Sequence, residues 1–409
     1  SSTCAATHWD DEMSDSSTFA NDGEEPRAVS ALISVQPGWR TSKFAKMVKD
    51  LAEATRRYPP RALIANVAAQ FDWLDVDGIR VPISINNAEY DNSASSSEYA
   101  TLTVSARQEL AHASPSWRRT SADLLLVVGG ALLRLVSIDR IVRLFPGALA
   151  YDIPPDATLQ FVRRTTAACV AAYPGHAIKW SGINPVLDAR TYMALRQSGY
   201  LIRASRPAYV LLAEPQINGN LIRSAKLYAR QTETSLEVLR TEDPSAFERI
   251  AELYAMVNLR PGRQDNIAFT ASAFYELYRA GALQICVVRG KASRDIRAFG
   301  AYSARDGCLA FHYVGYDPSD PIGRDHYVGM ISSVQLAARR LGMSARIGFG
   351  AGRFKRARGA VGTIEFSACY VAHLRFWHRF AWHVLTVMIN WQAPPLMLEL
   401  LNKDAPNGH

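Results

Sequence analysis

The amino-acid sequence predicts a mixed α/β protein of two similar-sized domains followed by a helical tail. Three observations lead there. The chain has 409 residues, more than one ordinary core holds. Hydrophobic residues make up 48% and charged residues 21%, the balance of a globular protein rather than a disordered, collagen-like or coiled-coil chain. Short strand-like runs also alternate with stretches of helical period along most of the length.

Residues 1–28 carry seven acids against Arg27 and show no apolar period, so they read as a disordered acidic tail. The first domain is expected over 29–214. It opens with strand-like AVSALISVQPGW, and Ser42–Arg57 then places Phe44, Met47, Val48, Leu51 and Ala54 on one helical face. ALIANVAAQFDWLDVDGIRVPISIN has strand character with a turn at Asp77-Gly78, followed by a polar stretch from Asn86 to Ser97 and strand-like YATLTV. Ala122–Leu144 reads as a helix leading into a strand, interrupted at Gly129-Gly130. Thr158–Ala172 is a helix, HAIKWSGI a strand, Pro185–Gly199 a helix ended by its glycine, and YLIRASRPAYVLL a further strand.

A polar linker, EPQINGN, begins the second domain, expected over 215–372. Asp243 and Pro244 suit the cap and first position of a helix reaching Asn258, and Thr270 caps a second helix reaching Ala280. Next come ALQICVVRG, IRAFGAYSARDGCLAFHYVGYD, a helix from His326 to Leu341, SARIGFGAG and VGTIEFSACYV. Mixed strands crossed by one central helix make a small open sheet rather than a dinucleotide-binding unit. Residues 373–409 form the tail. Trp377, Phe380, Ala381, Val384, Leu385 and Met388 make an apolar face opposite Arg375, Arg379, His383, Thr386 and Asn390, and Pro394-Pro395 should stop this amphipathic helix. It is expected to strap the domains together with its apolar face inward. Contact of 373–401 with a membrane surface or a second copy is the alternative.

The longest uninterrupted apolar run, Leu124–Leu133, is half of what a membrane-spanning helix needs, so no transmembrane segment is expected. The first thirty residues lack the pattern of a signal peptide. Five cysteines without short spacing fit neither a disulfide framework nor a zinc site, so a cytoplasmic, metal-free protein is expected. The net charge of +8 conceals the acidic start, which leaves about +14 for the remainder. That body should attract nucleotides, coenzyme A or tRNA. No hydrolase elbow, Walker loop, dinucleotide fingerprint or zinc-spaced histidine pair occurs, which argues against hydrolase, kinase and dehydrogenase chemistry.

The order of elements in the second half, together with FGAYSARDGCLAFHYVGYDPSD, the helix after it, SARIGFGAG and Phe354-Lys355, resembles the GNAT acyltransferases, in particular those related to the Fem peptidyl transferases. The likeness covers about residues 215–372, and the first half is similar in kind to the degenerate partner domain of such proteins. It implies two tandem GNAT-like halves and transfer of an acyl group, from acyl-CoA as co-substrate, to a small-molecule amine or amino acid. An aminoacyl-tRNA is the alternative donor, and a basic binding module without chemistry is the alternative to an enzyme.

Gly348, Gly350 and Gly352 can aim successive N–H groups at one point, and Arg353, Lys355, Arg356 and Arg358 add positive charge, so this turn is a candidate anion cradle with Lys355 as an exposed cation. Where GNAT enzymes hold the pyrophosphate of coenzyme A, the loop Asp317–His326 offers only Gly323 and Arg324, and Asp325 there is expected to cap the helix. Acyl transfer to an amine needs a base, donors to the oxyanion and an acid for the leaving group. His312 and Asp317 stand beside the strand that edges the cleft in this fold. Strict alternation would put His312 with Tyr316 on one face, and Tyr313 and Asp317 on the other. Glu365 is a carboxylate in an apolar strand, either a base with a raised pKa or a partner of the 353–358 cations. Tyr370 is a candidate acid by GNAT analogy. Tyr313, Tyr316, and Asn87 and Tyr90 of the long polar loop are candidate substrate contacts.

Overall fold

The computed structural model describes residues 32–403 apart from 106–126, 128, 150–153, 155, 215, 232 and 260–265. The acidic tail and much of the 122–128 stretch therefore lie outside the described residues. In the first half, α1 (Ser42–Arg57), α2 (Pro60–Leu63), β1 (Gln70–Val76), β2 (Ile79–Asn87), α3 (Glu98–Ala100), β3 (Arg140–Leu144), α4 (Leu159–Ala172), β4 (Ala177–Ile183), α5 (Ala189–Gln197) and β5 (Leu201–Leu211) follow in order. The second half adds α6 (Gly219–Ala229), β6 (Thr234–Val238), α7 (Pro244–Asn258), α8 (Ala271–Arg279), β7 (Gln284–Gly290), β8 (Ile296–Arg305), β9 (Cys308–Tyr316), α9 (Gly323–Arg340), β10 (Ser344–Arg346), α10 (Gly352–Arg356) and β11 (Val361–Tyr370), before the terminal α11 (Phe376–Lys403).

Local sequence accounts for most of these elements. The Thr41 hydroxyl caps α1 at the Phe44 N–H, and the expected apolar stripe of that helix is buried. Thr158, Asp243 and Thr270 cap α4, α7 and α8 in the same way, with Pro244 at the start of α7.

Among the described residues the strands join one mixed eleven-stranded sheet in the order β1-β2-β3-β4-β11-β5-β10-β9-β8-β7-β6. The pairs β3–β4 and β9–β10 are parallel and the rest antiparallel. In each half the last strand skips one place after its parallel pair, and the last strand of the other half fills that place. β11 lies between β4 and β5, while β5 lies between β11 and β10. The central ladder runs from Val361–Val210 to Cys369–Leu201 and ties the halves together through backbone hydrogen bonds. One buried cluster extends from Trp39 and Phe161 in the first half to Phe247 and Phe299 in the second. A second cluster lies between α9 and the opposite face of the sheet.

Four local expectations need correction. The run before Trp39 forms no strand from Leu32 onward. Leu32 and Ile33 are buried, and Gln36 takes a single backbone bond to Ala304 O at 2.6 Å. YATLTV is helical despite its β-branched residues, because the Ser97 hydroxyl caps α3 at Ala100 N and burial outweighs propensity. The linker read from EPQINGN is short: Asn218 already caps α6, and β6 precedes the first expected helix of that half.

The fourth correction concerns the tail. α11 continues through Pro394 and Pro395, because it is anchored on both sides of them. Asn390 Oδ1 accepts from Ala204 N at 3.0 Å, and its Nδ2 donates to Ile202 O at 2.8 Å. Further on, Leu401 is buried and its carbonyl accepts from Arg356 at 3.0 Å. The helix is also inverted relative to expectation. Trp382 and Thr386 face the sheet, whereas Trp377, Phe380, Val384 and Met388 face outward. Against the expectation from apolar runs, Phe376–Asn402 is by length and composition apolar enough to cross a membrane.

Candidate active site

β9 and β10 run side by side through Cys308–Ser344, Leu309–Ala345 and Ala310–Arg346, where their ladder ends. β9 continues to Tyr316, while the other chain turns away at Ile347. Where the strands part, β9 carries a bulge. Ala301 pairs with Tyr313 and Tyr302 with Phe311, so His312 is the extra residue. The bulge overturns the alternation expected for this strand. Phe311, Val314 and Tyr316 all pack toward the α9 cluster, with Tyr316 5.6 Å from the Tyr327 ring. His312 turns to the other face with Tyr313, the two rings 5.8 Å apart, and its Nε2 lies 2.7 Å from Ser303 Oγ. Tyr313 belongs to an aromatic core, 4.4 Å from Phe269, and its hydroxyl donates to Gly147 O of the first half at 2.9 Å.

An arginine on β10 and one on the neighbouring β5 are each ion-paired. Arg346 bonds Asp188, which precedes α5, and Gly182 O at 3.3 Å. Burial pushes Asp188 up against the pull of Arg346. Glu365 is buried on β11 and accepts from Arg206 Nε of β5 at 2.7 Å, so its partner is Arg206 rather than the basic turn. The carboxylate in return raises the Arg206 guanidinium above its ordinary value. β9 and β11 are three strands apart in the sheet, which separates His312 from Glu365 by roughly 14 Å. One proton cannot be shared between them.

The glycine turn is held from inside. Gly348 and Gly350 have φ of 65° and 85°, and Ala351 follows with φ 50°. Lys355, expected as an exposed cation, is buried beneath the turn. Its ammonium donates to the carbonyls of Ile347 at 2.7 Å and of Gly348 and Phe349 at 3.1 Å. Arg356 reaches Leu401 O, and Arg358 reaches Phe354 O and Ser224 Oγ while stacking on the Phe354 ring. Burial lowers Arg358 to about 10. These three cations brace α6, α10 and α11 around the turn, whereas Arg353 lies exposed.

The loop from Asp317 to α9 closes on itself. Asp317 accepts from Ser319 N and Oγ, and the Ser319 hydroxyl holds its carboxyl below the usual range. Asp320 Oδ1 takes Ile322 N, and Asp320 O takes Gly323 N. A Cβ at Gly323 would stand 2.3 Å from Asp317 O, so only glycine fits there. Ile322, not Asp325, occupies the cap position of α9, and Asp325 and Arg324 are both exposed in the first turn.

The remaining candidates collect elsewhere. Asn87 Oδ1 meets His176 Nε2 at 2.8 Å, His373 Nε2 meets His176 O at 2.9 Å, and Tyr370 stacks on His373 at 5.7 Å. Burial lowers His176 to about 4. The Tyr90 hydroxyl donates to Arg134 O at 3.1 Å. β2, which carries Asn87, is six strands from β9, so this corner lies roughly 25–30 Å from His312.

Sequence reading missed a buried charge cluster in the first half. Glu98, fully buried, takes Arg143 at 3.3 Å, together with Lys179 and Arg203. Asp139 takes the N–H groups of Glu98 at 2.6 Å and Tyr99 at 3.0 Å. Burial and then Arg203 pull the Lys179 ammonium down to about 7. The signal was present in Arg143, Lys179 and Arg203, cations inside the apolar runs RIVRLF, AIKWSGI and YLIRASR, since a charge inside an apolar strand needs a buried partner.

Neither a family model nor a curated protein matches the chain. Among solved structures it is similar to FemX, with 11% identity over 51% of this chain and 76% of that one and a TM-score of 0.39. It is also similar to the C-terminal domain of a putative lysylphosphatidylglycerol synthetase from Agrobacterium fabrum (13%, 56% and 78%, TM-score 0.37). A GCN5-related N-acetyltransferase from Sphaerobacter thermophilus covers more of it (13%, 72% and 77%, TM-score 0.31). The strand order supplies the fold assignment independently of them. The chain has a tandem GNAT-like fold. Each half of that fold carries a parallel pair followed by a strand exchanged with the other half; the bulge beside the second pair places His312 on β9, while the first pair ends beside a register shift of β4 at Ser181-Gly182.

Proposed function

We propose that this protein transfers an aminoacyl group from an aminoacyl-tRNA to a small amine, at the groove where β9 and β10 part. The observation that carries the reading is the bulge at His312. It frees the strand from its regular ladder next to an imidazole, giving one place for a base and for N–H donors to an oxyanion. In the step, the amine attacks the ester carbonyl, an amide C–N bond forms, the ester C–O bond breaks, and the amine proton passes through His312 to the departing ribose oxygen. Ser303 positions the ring.

The acidic loop favours the tRNA ester over acyl-CoA. Its N–H groups at Ser319, Ile322 and Gly323 are occupied by Asp317 and Asp320, and Asp325 adds a third carboxylate where a pyrophosphate would sit. The net charge of +8 suits a polyanionic donor. The test supplies a charged tRNA pool and an acyl-CoA panel in parallel with mixed amine acceptors and identifies amide products by mass spectrometry. His312→Gln should cost roughly a hundredfold or more in rate at an unchanged melting temperature. Products only from acyl-CoA would overturn the donor, and a full rate in the variant would overturn the base.

A further inference from the structure

The outer face of α11 is apolar and has no partner among the described residues. Trp377, Phe380, Val384, Val387, Trp391 and Leu398 recur at steps of three, four and seven, so they share one side of the helix. Trp377 is 72% exposed, Val387 68% and Trp391 76%. The inner side is anchored at Trp382, Thr386 and Leu401 and clamped to β5 by Asn390. Amphipathicity for sheet packing therefore leaves this second apolar side unexplained, and a helix apolar all round normally has a second neighbour. The face is roughly 30 Å long at 1.5 Å per residue. Near it, the segment 129–135 packs a half-buried Leu133 against the same cluster as Leu385 and exposes Leu132 and Leu135.

From Arg375 to Leu398 the sequence contains no carboxylate, while Arg375 and Arg379 stand exposed in the first turns. We infer that this face docks onto the surface of an anionic lipid bilayer, with α11 lying in the plane of the interface. Charge decides between lipid and a second copy, because two chains of net charge +8 repel one another, whereas an anionic leaflet attracts them. Tryptophans at two positions on the face, with flanking arginines, are the composition of an interfacial helix. Crossing the bilayer would require breaking the Asn390 clamp and the Arg356–Leu401 bond.

The test uses the full chain and vesicles of phosphatidylcholine with and without phosphatidylglycerol, followed by sedimentation at two salt concentrations. The protein should sediment with the anionic vesicles, and less so at high salt. A Trp377→Ser, Trp391→Ser double variant should reduce partitioning by at least about tenfold. Arg375→Gln with Arg379→Gln should weaken binding and flatten its salt dependence. All these side chains point outward, so thermal midpoints should match wild type. Three results would overturn the inference: no binding to anionic vesicles, equal binding to both kinds, or a dimer that the tryptophan variant dissociates. None of these readouts measures transfer, so they succeed or fail independently of the proposed reaction.

Discussion

Replacing Lys355 with methionine should destabilise the protein substantially. The side chain is 7% exposed, and its ammonium donates to three consecutive carbonyls that have turned away from β10. Methionine keeps most of the stem and removes the three donors, so the change isolates the hydrogen bonds from the packing. Bonds to a charged group contribute about 1.5–3 kcal/mol each when taken singly, but three from one ammonium are not additive. A loss of about 3–4 kcal/mol is therefore expected, a drop of roughly 5–10 °C in melting temperature. Denaturant unfolding measures the loss, and amide hydrogen exchange at 347–352 should accelerate along with it, since the turn loses its internal brace. The reasoning fails if Lys355→Met unfolds within about 0.5 kcal/mol of wild type with unchanged exchange while donor binding collapses. Lys355 would then be a ligand contact, and its bonds to the turn incidental.

Glu98→Gln should cost about 3–5 kcal/mol at pH 7, because Arg143, Lys179 and Arg203 would keep their buried charges without their shared carboxylate. The folded-state pKa of Lys179, about 7, lies below the ordinary lysine value of about 10.5, so folding releases a proton between those values and raising the pH favours the folded state. The deficit of the variant should therefore shrink as pH rises from 7 to 9, as the ammonium that needed Glu98 is lost, and a deficit that grows with pH would refute the account. At the other ion pair the two partners should respond unequally. Arg206 is 60% exposed on its side chain and Glu365 only 5%, so Arg206→Ala strands a buried carboxylate while Glu365→Gln lets the guanidinium rehydrate. Urea titration should rank Arg206→Ala as the more damaging by about 1–2 kcal/mol, and the reverse order would contradict the pairing.

What was legible in the sequence was what local physics decides. Asp243-Pro244 and Thr270 mark helix starts because capping needs only neighbouring atoms, and the runs that became β4, β5, β7, β9 and β11 carry their pattern within themselves. The misreadings share a cause. YATLTV has strand residues, but Ser97 caps a helix there over a buried carboxylate whose partners come from three distant strands. The tail was assigned its inner side by hydrophobicity, whereas Asn390 docks it by completing the backbone bonds of β5. At the candidate site, alternation placed His312 with Tyr316, and one inserted residue reversed the face. A bulge is invisible to periodicity until its partner strand is known. The basic run 353–358 misled for a related reason. Cations close in sequence suggest a shared ligand, yet in the fold Lys355, Arg356 and Arg358 point to three different neighbours.

The exchange of β5 and β11 ties the candidate site to both halves of the chain. Each parallel pair has its neighbouring place filled by the other half's last strand, so neither sheet is complete alone. In the first half β3 and β4 pair from Ile141–Ala177 to Leu144–Trp180, β4 runs on to Ile183 with a register shift against β11, and Glu98 gathers Arg143, Lys179 and Arg203. In the second half pairing stops at Arg346, the bulge follows two residues later on β9, and Arg346 reaches back to Asp188 of the first half. Tyr313 reaches Gly147 of the same half. The parting of β9 from β10 is therefore set by contacts from both halves. The first half thus helps to hold the candidate site of the second, through Asp188 on Arg346 and Gly147 on Tyr313.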